Sequence, residues 1–147
     1  MRDTPPPIQS LIPHRGAMCL LDGIRCWDAD RITCVATSHA RTDNPLRHGS
    51  RLSAQAGVEY AAQAMAAHAA LVGRKEPAPR LGFLALVSNL RWHVDRLDTL
   101  EAPLEVQAWR VAPLPAGQCY GFTLEAQGVR LLEGEAIVVM PGSADRG

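Results

Sequence analysis

Aromatic side chains are scarce in this 147-residue chain, which has three tryptophans, two tyrosines and two phenylalanines, so its core has to be built from aliphatic residues and alanine. Net charge is missing as well: fifteen basic and fifteen acidic residues cancel. Such a surface exerts no general pull on nucleic acid or anionic lipid, and nucleic acid is not expected as a partner. No apolar run reaches the roughly 20 residues of a membrane-spanning helix. Residues 1–7, Met-Arg-Asp-Thr-Pro-Pro-Pro, lack the apolar stretch of a secretory signal. No membrane span and a cytoplasmic location are therefore expected. Cys19, Cys26, Cys34 and Cys119 contain no C-x-x-C pair, and His14, His39, His48, His68 and His93 show no H-x-H or H-x-x-x-H spacing. Neither a metal nor another cofactor is expected, and the cysteines read as small buried hydrophobes in a reducing compartment.

What is present suits one α+β domain spanning 1–147, with 1–7 as a flexible proline-rich leader. Pro7 can open a short helix over Ile8–Ile12 that Pro13 stops. Two β-type runs, Ile24–Trp27 and Ile32–Thr37, flank Asp28-Ala29-Asp30-Arg31 and predict a hairpin. Residues His39–Ser50 are loop chemistry, with Pro45 disfavouring helix at Asn44. From Leu52 to Val72 alanine dominates, and the pattern predicts a buried helix, apolar on nearly every side, ended by Gly73. Glu76-Pro77-Ala78-Pro79 then forms the exit loop. Four further strands are expected over Leu81–Val94, Leu104–Ala112, Gln118–Gln127 and Val129–Met140. An apolar helix must be enclosed, and an antiparallel sheet curled around it is the economical way to do so.

On that helix Gln55, Glu59 and Gln63 recur every four residues, which predicts a polar stripe on an apolar rod. A desolvated carboxyl there holds its proton near neutral pH and can act as a general acid, whereas a carboxylate at the helix edge simply faces water. Spacing alone favours the second. Of the histidines, His68 reads as packing or surface and His93 as structural. His48 stands in the loop feeding the helix start, where helix amides can polarise a bound acyl group. His14 opens a second loop, with a capping or scaffold role as its plain alternative.

The segment Leu11-Ile12-Pro13-His14-Arg15-Gly16-Ala17-Met18-Cys19-Leu20-Leu21-Asp22 resembles the L-x-P-H-R-x-P-x-L-L-V-D segment of the hotdog-fold 3-hydroxyacyl-acyl carrier protein dehydratases. Gly57-Val58-Glu59-Tyr60-Ala61-Ala62-Gln63-Ala64-Met65-Ala66 is similar to the E-A-M-A-Q stretch of that family's central helix. With Asn44-Pro45-Leu46 ahead of it, the chain looks most like the branch associated with aryl polyene synthesis. The resemblance implies a hotdog fold, a curved antiparallel sheet around one long central helix. It further implies sites at a dimer interface and an acyl carrier protein-bound or CoA-bound 3-hydroxyacyl substrate. There a loop histidine removes the α-proton while the helix carboxyl, here Glu59, protonates the leaving hydroxyl.

One departure stands out. The family's loop histidine lies fourteen residues before the helix carboxylate, where this chain has Pro45. His48, eleven residues before Glu59, is the candidate base; Asn44, Gln63 and His14 are candidate substrate-binding residues. Three readings follow: a dehydratase, a non-catalytic hotdog subunit that pairs with an active dehydratase, and an acyl thioesterase; the expected assembly is a homodimer or a heterodimer with a related hotdog subunit. Arg47, Arg51, Arg74, Lys75 and Arg80 are the candidates for carrier-protein docking.

Overall fold

The computed structural model describes residues 5–12, 14–73 and 83–139. Six strands, β1 (Gly23–Trp27), β2 (Arg31–Ala36), β3 (Phe83–Trp92), β4 (Leu104–Leu114), β5 (Gly117–Ala126) and β6 (Val129–Val139), form one sheet with order β1-β2-β4-β5-β6-β3. Every neighbouring pair is antiparallel. The single α-helix, α1 (Gly57–Val72), lies on one face of this sheet, over β2, β4 and β5. No helix of the described residues is long and apolar enough to cross a membrane.

Strand alternation builds the core. Leu104, Val106 and Ala108 of β4 are buried while Glu105, Gln107 and Trp109 are half-buried, as period two requires when one face is covered. Ile32, Cys34 and Ala36 of β2 and Tyr120, Phe122 and Leu124 of β5 continue the inner layer. Small helix residues let α1 sit close to it. A Cβ on Gly57 would lie 2.7 Å from a Leu132 methyl and 3.0 Å from a Leu124 methyl.

Several expected boundaries move. The first helix is a single 3-10 turn, Ile8–Ser10, and Pro13 lies outside the described residues. Leu52 is not helical: residues 52–54 pair with the segment after β3, and a 3-10 turn, Ala54–Ala56, leads into α1. Composition sees alanine and leucine there, but the backbone hydrogen bonds of Leu52 and Ala54 go to Leu97 and Asp95. β4 runs two residues beyond Ala112 and turns tightly into β5. The exit loop at 76–79, the strand start at Leu81 and the strand end at Met140 lie outside the described residues. Among the cysteines Cys34 is buried, with its thiol pushed up to about 12 by desolvation; contrary to expectation, Cys26 is exposed.

His68 is neither surface nor plain packing. It is fully buried, its Nε2 donating to the Asp28 carbonyl at 2.9 Å and its Nδ1 paired with the Tyr120 hydroxyl at 2.8 Å. A carbonyl only accepts, so Nε2 carries a proton; burial disfavours a second one, and in the neutral ring Tyr120 donates to Nδ1. Burial lowers the pKa of His68, and also that of fully buried His39.

Two predictions follow from this packing. Alanine favours a helix over glycine by about 1 kcal/mol, but the Gly57→Ala methyl has nowhere to go, and overpacking of this kind costs about 1–3 kcal/mol. Urea denaturation should show Gly57→Ala as the less stable protein; a raised midpoint would mean that α1 can lift off Leu124 and Leu132. As for pH, the unfolded histidines protonate around the ordinary pKa of about 6.5, while buried His68 and His39 resist. Because the unfolded state then binds more protons, stability is full above pH 6.5 and falls as pH drops through it toward the lower folded values. Urea midpoints between pH 7.5 and 5 should decline accordingly, and His68→Gln should flatten part of the decline.

Candidate active site

Glu59 lies in the first turn of α1, exposed and without a hydrogen bond or ion pair to any described residue. Its neighbours are in the opposite condition. Tyr60 is fully buried, and its hydroxyl lies 2.7 Å from Ser38 Oγ and 3.0 Å from Asn44 Nδ2. Ser38 Oγ in turn donates to the Leu20 carbonyl at 2.8 Å. An amide nitrogen can only donate and a carbonyl can only accept, so every proton of the relay is fixed: Asn44 to Tyr60, Tyr60 to Ser38, Ser38 to Leu20. Burial pushes the Tyr60 hydroxyl pKa up, which keeps it protonated in that role.

Gln63, one turn further on, is 2 % exposed. Its Oε1 accepts from the Leu20 amide at 2.9 Å and its Nε2 donates to the Met18 carbonyl at 2.7 Å. The expected polar stripe therefore twists: Gln55 and Glu59 face outward while Gln63 turns inward and fastens the 18–20 segment to the helix. These bonds give Gln63 a fastening role within the fold. Asn44 likewise is 6 % exposed. Its amide donates to Tyr60 and to the Ser38 carbonyl at 2.9 Å, and its Oδ1 accepts from the Leu46 amide at 2.8 Å. Both of its amide protons and one acceptor site are thus engaged in organising the loop.

His48 is exposed at a tight turn in which its amide and carbonyl pair with Arg51. Gly49 makes that turn possible with φ +64. The His48 imidazole is free of partners among the described residues. His14 is half-buried and its imidazole is likewise unbonded, while Arg15 beside it donates to the carbonyls of Gln9, Ile12 and His14 and so closes the first loop. His93 forms an exposed ion pair with Glu133 at 2.9 Å. Of the docking candidates, Arg47 is committed to the Ser50 and His39 carbonyls, Arg51 is exposed, and Arg74, Lys75 and Arg80 lie outside the described residues.

Sequence reasoning missed Ser38, which closes the relay, and Asp98, which accepts from the Leu52 amide at 2.8 Å just ahead of α1. Neither signals its role locally, since the groups that define it, Tyr60 and Leu20 for Ser38 and the Leu52 amide for Asp98, are distant in sequence. The arrangement can therefore offer chemistry from Glu59, the one polar side chain of α1 left uncommitted, on a helix held by both preceding loops.

Comparison with solved structures places the chain among hotdog folds. A chain of the ApeI:P dehydratase heterocomplex from Xenorhabdus doucetiae matches with a TM-score of 0.83 at 19 % identity, covering 95 % of this chain and 93 % of that one. The PaaI protein of the E. coli phenylacetic acid degradation operon matches with a TM-score of 0.61 at 11 % identity, over 80 % of this chain and 81 % of that one. A hypothetical thioesterase from Streptococcus pneumoniae, solved with coenzyme A, gives a TM-score of 0.60 at 9 % identity, over 80 % and 83 %. No curated protein matches the sequence. The model of the ApeP-like family, described as ApeP dehydratase, matches from residue 6 to residue 146, and the chain belongs to that family.

Proposed function

We propose that this chain is a dehydratase subunit that converts a 3-hydroxyacyl thioester to the 2-enoyl thioester, at a site it completes with a second hotdog chain. The observation that carries the reading is the isolation of Glu59: on α1, Tyr60, Gln63 and His68 are consumed by internal bonds, and Glu59 alone is free and firmly held. Dehydration needs a base at the α-carbon and an acid at the leaving hydroxyl, each positioned and each in the right protonation state. Glu59 is the acid in this reading, and His48 is the base this chain offers.

A second chain is supported by what α1 and β3 leave uncovered. Covering a carboxyl with apolar surface disfavours its charged form, which is what a general acid near neutral pH requires. Ala62, Ala66, Ala69 and Ala70 continue the half-exposed side of α1 beyond Glu59. β3 is an edge strand, with Leu86 55 % and Trp92 46 % exposed. An unpaired edge bearing large apolar side chains is suited to pairing with another strand. The heterocomplex named above supports a non-identical partner, as does the Asn44–Pro45 turn, which stands where the dehydratase pattern has its histidine.

The assay is turnover of a 3-hydroxyacyl carrier-protein or CoA thioester by the chain alone and mixed with a hotdog partner. Formation of the 2-enoyl product is expected in the mixture, and Glu59→Gln should lower kcat by about 10²–10⁴-fold without unfolding the domain. A comparable loss in His48→Gln assigns the base to this chain, whereas retained turnover assigns it to the partner. Release of free acid and thiol identifies a thioesterase, and full activity of Glu59→Gln removes the acid role.

A further inference from the structure

Ahead of α1 the chain is held by an ionised side chain that follows β3, 46 residues beyond Leu52. The Asp98 side chain is only 7 % exposed. Its Oδ1 accepts from the Leu52 amide at 2.8 Å and from Arg96 Nε at 3.0 Å, and its Oδ2 accepts from Arg96 Nη2 at 2.6 Å. Around it the two segments run antiparallel. Leu97 donates to the Leu52 carbonyl at 2.8 Å, Ala54 donates to the Asp95 carbonyl at 3.0 Å, and Ser53 bridges Arg96. Leu52 and Leu97 are both fully buried.

From this clamp to Glu59 there is no slack. Ser53 caps the 3-10 turn Ala54–Ala56 by accepting from the Gln55 amide at 3.2 Å, and that turn runs directly into α1. Tyr60 and Gln63 fix how the helix is rotated; the clamp fixes where it begins. Packing of Leu52 alone would hold the segment loosely. A carboxylate accepting from its amide holds it at hydrogen-bond distance.

We infer that Asp98 is a positioning residue for Glu59, acting through the Leu52 backbone; the inference rests on Glu59 being the acid. The carboxylate is gripped by the Arg96 fork and aimed at the Leu52 amide, so directional charge-assisted bonds, not apolar contact alone, set the segment ahead of α1. Arg96, and then the Leu52 amide, hold the Asp98 carboxyl well below the usual carboxylate range, so it remains an acceptor throughout the working pH range of a dehydratase.

The test uses the active form, alone or with its partner. Asp98→Ala, which removes the acceptor of the Leu52 amide, should lower kcat about a hundredfold, as misplacement of a catalytic group by about 1 Å does, with KM changed less than about twofold. Ile32→Val, in the core of β2 and outside this machinery, supplies the control for stability, with all rates taken where each protein is fully folded. If Asp98→Ala does not fold, Arg96→Lys removes one arm of the fork and should cost about tenfold in kcat. An unchanged kcat in the folded variant, or an equal loss in Ile32→Val, overturns the inference while Glu59→Gln remains inert. Normal turnover by Glu59→Gln would instead overturn the acid role, and with it this role of Asp98.

Discussion

The Tyr60 hydroxyl is the point on which the site depends. It sits in the core, out of reach of water, where an unpaired hydroxyl would cost several kcal/mol, about 1–3 on protein mutational scales. The relay from Asn44 through Tyr60 and Ser38 to the Leu20 carbonyl removes that cost, and its proton directions admit one arrangement. Helix rotation follows from it. With 100° between successive residues, turning Tyr60, Gln63, Ala64 and Ala67 inward turns Glu59, Ala62 and Ala66 outward. Glu59 is therefore exposed because Tyr60 is buried, and the two facts are one constraint.

The same logic runs through the core. Tyr60, Gln63 and His68 each bridge α1 to a loop or strand far away in sequence, and each is satisfied on the atoms that matter. By contrast the ion pairs Arg25–Glu105, Arg130–Glu125 and Arg130–Glu133 lie across the water-facing side of the sheet, where such pairs contribute little. Alanine makes the arrangement possible, since small side chains bring α1 near enough to the sheet for buried polar groups to reach across.

Much of this was legible in the sequence. The hairpin of β1 and β2, the three later strands that follow Pro103 and the central helix all carry local periodicity, and local periodicity survives into the fold. Glu59 stood out for the same reason, as the only acidic residue in an alanine tract. The internal bonds of Gln63 and Asn44 are not legible in the sequence, because a side-chain amide has the same donors and acceptors whether it meets a substrate or a backbone. Only the three-dimensional approach of Met18, Leu20 and Ser38 shows which backbone groups they meet. Leu52 was misread as helical because its competing partner, Leu97, lies beyond the horizon of any sequence window.

The Asn44–Pro45–Leu46 turn bears on the division of labour between two chains. Proline contributes no amide that the turn would have to satisfy, and Asn44 takes up the Leu46 amide within it. Through Asn44 the turn is closed upon itself and upon Tyr60. A histidine in that place would have to be free to approach a substrate, and so could not also anchor the helix. This chain uses the position to anchor the start of α1 through Tyr60. In the proposed reading a two-chain site resolves the conflict, with Glu59 as the acid and the base coming from His48, outside the relay, or from the partner.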